Sequence, residues 1–191
     1  MLYRQFNNFR DLNLHSFHLY NVPDKYKKTK SRNLEEPLIA ISYINHNMGL
    51  NLIIIGDKYE DEVKDKIIIT NEDNFENIDF QPLKINLNYE DILKHEYYED
   101  IELVKTRSIT KIDKFRHADY PDDIEVLIPL ENKRIEQVWI RLKKVIDENT
   151  YIGILLHDSS EVSCLKKDTK VKIIYYKEPK KDYLILDSII E

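Results

Sequence analysis

His117, Asp119, Asp122, Asp123 and Glu125 form the one place in the chain with the density of a ligand set. A histidine among carboxylates could hold a divalent metal, and a metal could activate water for hydrolysis. The same acids also suit a quieter role. Asp122-Asp123 stands before an alternating segment, where short acidic side chains accept backbone N–H bonds and shape a turn. No H-E-x-x-H or H-x-x-x-H pair accompanies the cluster. Turn formation without a bound metal or cofactor is therefore the reading, and a metal-dependent hydrolase at His117–Glu125 is the alternative.

Three other groupings could carry chemistry. His157 lies near Ser159-Ser160-Glu161, but residues of one loop rarely reach the geometry of a catalytic triad. His15 and His18 are spaced to meet on a helix, with no Cys or acid beside them, and read as ordinary surface or core histidines. Trp139 shares a strand face with Arg141 and Lys143. That trio could stack a single-stranded nucleic acid or anchor a protein. Otherwise Trp139 lies beneath another layer, with Arg141 and Lys143 snorkelling over it.

Composition narrows the function classes. The chain has 191 residues, 42% of them hydrophobic and 34% charged, enough for a core under a solvated surface. Only three glycines occur, and no glycine-rich phosphate loop or nucleophile elbow is present. A net charge of −6 gives no general drive toward nucleic acid or an anionic membrane. No apolar run is long enough to span a bilayer and no signal peptide opens the chain, so the default location is cytoplasmic. The single cysteine, Cys164, excludes an intrachain disulfide and reads as a buried or half-buried thiol.

Charge is unevenly spread. Residues 57–102 carry fifteen Asp/Glu against five Lys/Arg, whereas residues 103–118 carry one acid against five bases. The acidic stretch, with Glu60-Asp61-Glu62 and Tyr97-Tyr98, either keeps the protein soluble or meets a basic partner.

The elements that must position these groups can be read in order. Residues 1–20 suggest one helix or two short helical pieces. A basic loop follows over 23–37, with Lys25, Lys27, Lys28, Lys30 and Arg32. Leu38–Ile44 and Leu50–Ile55 read as a hairpin turning at His46-Asn47-Met48-Gly49, and Lys66–Thr70 as a third strand. Asn88 is placed to cap a helix through Lys94. Ile101, Val104, Ser108, Ile112 and Phe115 recur at helical spacing, which predicts a helix ending near His117 with Lys105, Arg107, Lys111 and Lys114 mainly exposed.

Strands then alternate through Ile124–Ile128, Glu136–Ile146, Tyr151–Leu156, Val171–Tyr176 and Tyr183–Leu186. In the longest of these, Val138, Ile140 and Leu142 face the core. The sequence thus predicts an α+β protein. Residues 1–118 form a mixed half with a three-stranded sheet and helices, and residues 119–191 a small five-stranded antiparallel barrel or half-barrel packed on it.

From Phe115 onward the chain resembles a bacterial small-barrel domain of unknown function. Arg116-His117, Tyr120-Pro121-Asp122-Asp123, Glu136-Gln137-Val138-Trp139-Ile140-Arg141 and Gly153-Ile154-Leu155-Leu156 carry the resemblance. Two features differ. Lys166-Lys167-Asp168-Thr169 lacks the glycine of the family's Lys-x-Gly-Asp turn, and His157-Asp158-Ser159-Ser160 replaces an Asn-x-Pro. Such domains are similar to immunity proteins of bacterial toxin–antitoxin-like loci, which implies binding rather than catalysis. The expectation is a non-enzymatic protein that binds a basic protein partner and no membrane, with single-stranded nucleic-acid binding through Trp139, Arg141 and Lys143 as an alternative. Its contact candidates are Glu60, Asp61, Glu62, Tyr97, Tyr98, Trp139 and Arg141.

Overall fold

The computed structural model describes residues 14–28, 33–35, 37–56, 67–69, 76–77, 82–85, 88, 92 and 100–190. They fall into two compact units, Met1–Tyr98 with Ala118–Tyr120, and Glu99–His117 with Pro121–Glu191. Residues 99–117, read from the sequence as part of the mixed half, cluster with the barrel strands, and Ala118–Tyr120 cluster with the first unit.

The first unit is a sheet of strands β1 (Phe17–Asn21), β2 (Leu38–Asn45), β3 (Gly49–Gly56), β4 (Ile67–Ile69) and β5 (Glu76–Asn77), in the order β4-β3-β2-β1-β5. Every neighbouring pair is antiparallel. The three expected strands are β2, β3 and β4. β1 corrects the helical expectation at residues 17–20; residues 1–13 of that expectation lie outside those described. β1 pairs with β2 from Phe17↔Ile41 to Tyr20↔Leu38, and its side chains feed both faces of the sheet. At the β2–β3 turn Gly49 has φ 73°, and the Asn45 side chain accepts bonds from the N–H groups of Asn47 and Met48 at 2.9 and 3.0 Å. Both faces of this sheet carry apolar clusters, so β2 and β3 are buried almost end to end. Of the helix expected from Asn88, most residues lie outside those described.

The second unit begins with helix α1 (Ile101–Ser108), capped by the Asp100 carboxylate, which accepts from Glu102 N at 2.8 Å. The predicted single helix to His117 is broken. Ile109 is extended (ψ 103°) and Thr110–Phe115 forms a separate 3-10 turn. The hydroxyls of Thr106 and Ser108 bond to the carbonyls of Leu103 and Lys105, tightening the last turn before the break. The buried face also differs. Leu103, Thr106 and Arg107 are buried, while Ile101 is 72% and Val104 40% exposed.

Strands β6 (Asp123–Pro129), β7 (Ile135–Val145), β8 (Thr150–Leu155), β9 (Lys170–Lys177) and β10 (Asp182–Ile189) close a barrel in the order β10-β6-β7-β8-β9. The five expected strands are thus present, but the barrel is mixed rather than antiparallel. Successive hairpin-linked strands alternate in direction, so the first and fifth point the same way. Closure therefore requires one parallel pair, and β6 with β10 is that pair. Val138, Ile140 and Leu142 fill the interior with Ile124, Val126, Tyr151, Ile173 and Leu184.

Two local features shape the barrel. β7 shifts register between Leu142 and Lys144, opposite Gly153. A Cβ at Gly153 would lie 2.4 Å from Ile140 Cγ2 and 2.8 Å from the Arg141 carbonyl oxygen, so the strands cross there only because no side chain intervenes. Asp168, at the place of the glycine in the resembled turn, has φ 67°, the left-handed conformation that glycine adopts freely. Cys164 is exposed, against the expectation of a buried thiol.

Candidate functional site

The acidic cluster is taken apart by its own surroundings. Asp122, at the mouth of β6, accepts from Arg107 Nε at 2.8 Å and Nη2 at 2.7 Å. Arg107 comes from α1, and its burial corrects its predicted exposure. Both side chains are desolvated, with Arg107 11% and Asp122 3% exposed. The Asp122 carbonyl also accepts from Leu142 N at 2.8 Å, which ties the pair to β7. Asp123 accepts from Arg141 Nε and Nη2 at 2.7 and 2.9 Å, across a registered β6–β7 position.

The remaining members lie apart from these pairs. Glu125 accepts from Gln137 Nε2 at 3.0 Å. His117 meets the Trp139 ring edge-on, with centroids 5.1 Å apart. The Asp119 carbonyl accepts from Leu50 N at 3.2 Å. Among the described residues no group of three or more His, Cys, Asp or Glu is arranged to hold a metal ion.

A third arginine completes the corner between α1 and the barrel. Arg116 donates to Asp113 at 3.0 Å and to the carbonyls of Pro121 and Thr106, each at 2.5 Å. Lys143 shares this environment. Burial lowers the pKa of its ammonium group and Arg141 beside it adds to the effect, against the carboxylates of Asp122, Asp100 and Asp123. Trp139, Arg141 and Lys143 are each half-buried. The guanidinium of Arg141 is held in a fork by Asp123, so the trio is not an open cationic platform.

The loop after β8 is built around two carboxylates. Glu136 accepts from Ser159 Oγ at 2.6 Å, Ser160 N at 2.7 Å and Ser160 Oγ at 2.9 Å. Burial pushes the Glu136 carboxyl up, but these donors outweigh it and hold the group below its usual range. Ser159 Oγ also accepts from Val162 N at 2.8 Å. Its hydroxyl is thus committed to Glu136 and the turn.

His157 faces elsewhere. Its Nε2 accepts from Trp139 N at 3.3 Å, and its Nδ1 donates to the Asp158 carbonyl at 3.0 Å. The Asp158 carboxylate accepts from Lys167 N and Lys166 Nζ, which hold its pKa below the ordinary value.

The other sequence candidates are scattered. His18 is buried on β1 with its ring edge-on to Tyr20, and His15 donates its backbone N–H to the Ser42 carbonyl, so the two do not meet on a helix. In the basic loop, Lys27 pairs with Asp24 at 2.6 Å and Lys25 lies over the Tyr26 ring. Glu60, Asp61, Glu62, Tyr97 and Tyr98 lie outside the described residues. The sequence assigns Arg107 and Glu136 no role in a site. Each is defined by a partner at least fifteen residues away, which local spacing does not encode.

Against known proteins, the chain matches no family model, no curated protein and no solved structure.

Proposed function

We propose that this protein is a bacterial, cytoplasmic, non-enzymatic binding protein that acts by docking another protein, in the manner of a toxin-neutralising immunity protein. One observation supports this above the others. The groups best suited to chemistry are committed to internal pairs: Asp122 to Arg107, Asp123 to Arg141, and Glu136 to Ser159 and Ser160. A hydrolytic site needs carboxylates free to bind a metal or move a proton. Here two of the cluster's carboxylates each neutralise an arginine, which favours a scaffold over a reaction centre. The acidic stretch at 57–102 supplies the charge that would steer a basic partner.

The test is co-purification from native cells, followed by association kinetics with whatever the wild type recovers. A basic partner is expected, and its association rate should fall as salt rises, since exposed charges are screened over about 8 Å at physiological ionic strength. Changing Glu60, Asp61 and Glu62 together to lysine should slow association more than it speeds dissociation. Recovery of the same partners at unchanged rates by wild type and triple variant would overturn the acidic-face reading.

A further inference from the structure

The barrel carries a second surface that the acidic stretch does not explain. Along β9, Val171 and Ile173 point into the core, so Ile174 and Tyr176 both face outward, and neither belongs to the core cluster. The register places Ile174 opposite Ile185 on β10, and Ile185 beside Leu127 on β6. Leu127, Ile174 and Ile185 are each half-buried, and none belongs to the core. One step toward the β9–β10 turn, Tyr176 and Tyr183 stand opposite each other, with Tyr176 47% exposed. Directly opposed side chains on a sheet have Cβ atoms about 4.5–5.5 Å apart. These five therefore form a continuous apolar and aromatic strip across three strands.

Lysines border the strip. Lys181 lies with its ammonium 5.4 Å from the centre of the Tyr183 ring. Lys177 and Lys180 are exposed around the turn, and Lys172 pairs with Asp187 at 3.2 Å. From 170 to 182 the chain has five lysines against Glu178 and Asp182, and the Asp182 carboxylate is taken by Lys114. This is a basic island on a chain of net charge −6.

An apolar centre with exposed tyrosine and a charged rim is the anatomy of a protein-docking surface, because lysine is tolerated at the rim and tyrosine supplies anchoring area. We propose that this face of β6, β9 and β10 binds an acidic segment of a partner protein carrying aliphatic or aromatic anchors. The lysine rim selects the sign of the segment. The aliphatic row of Leu127, Ile185 and Ile174 selects a protein over single-stranded nucleic acid, whose platforms are built from aromatic rings. The proposal rests on the reading of this chain as a protein-binding module. It adds a contact of opposite charge to the one at 57–102.

Selection of random linear peptides displayed on phage against the full chain tests it. Enriched peptides should carry net negative charge with Leu, Ile, Phe or Trp anchors. Their affinity should fall about tenfold or more for Tyr176→Ala, and likewise for Lys180→Glu with Lys181→Glu. Both variants alter exposed residues, and unchanged urea unfolding would show that the barrel is intact. Neutral or basic enriched peptides would overturn the proposal, as would acidic ones indifferent to both variants, or no enrichment at all. A labelled oligothymidylate that binds more tightly with the same dependence on Tyr176 would assign the face to nucleic acid instead. These readouts do not involve Glu60, Asp61 or Glu62, so they can fail or succeed independently of the native-cell experiment.

Discussion

In the N-terminal sheet, seven of the eight residues of β2 and all eight of β3 are buried, whereas the barrel strands bury alternate residues and turn the others outward. The difference decides where polar groups go. In the sheet they are enclosed with the apolar ones. Asn51 is fully buried, its amide nitrogen 3.4 Å from the Tyr43 hydroxyl and its carbonyl oxygen without a partner. Tyr20 is enclosed too, and burial pushes its phenol up to about 12. In the barrel unit the buried charges sit at a strand mouth and under α1, where each finds a forked partner. A two-faced sheet makes polar side chains a cost. A one-faced barrel lets them become joints between elements.

That contrast can be broken or sharpened by substitution. The largest effect is expected from Arg107→Met, which keeps the stem but leaves the Asp122 carboxylate buried and unpaired. Urea unfolding should show a loss of about 3–5 kcal/mol. Combining it with Asp122→Leu should recover much of that loss, and a single-variant cost below about 1 kcal/mol would deny the joint its role. Gly153→Ala comes next. The added methyl meets Ile140 and the Arg141 carbonyl, so about 1–3 kcal/mol should be lost, read as a lower urea midpoint. Smallest is Asn51→Leu in the sheet. Removing a buried carbonyl that has no donor should change stability by less than about 1 kcal/mol, toward greater stability. If Asn51→Leu cost as much as Arg107→Met, the distinction between enclosed and jointed polar groups would collapse.

The barrel was legible in the sequence because its signal is local. Alternation at Val138, Ile140 and Leu142 is visible in the residues themselves, and the structure places all three in the core. α1 was misread because its inward face is chosen by an ion pair rather than by apolar spacing. Ile101 and Val104 have the right period yet are exposed, and Arg107 is drawn inward by Asp122. β1 was missed for a related reason. Phe17, Leu19 and Tyr20 divide between two faces, so neither a helical nor an alternating pattern stands out until β2 supplies the pairing. The acidic cluster was visible as a concentration of charge, but its dispersal to Arg107, Arg141 and Gln137 depended on contacts distant in sequence.

The parallel seam has a kinetic consequence. β6 and β10 stand at opposite ends of the barrel sequence and meet in register at Ile185 and Leu127, whereas β9 and β10 match at seven positions. The β6–β7, β7–β8 and β9–β10 hairpins close over short loops and are expected to form before the seam. The seam must wait until four strands are in place, because its loop-closure entropy is the largest in the module. It is also the contact with the fewest registered neighbours to hold it, so in the folded protein it is the first line along which the cylinder can unzip. Such an opening would turn a structure without edges into a short-lived open sheet with two, one on β6 and one on β10.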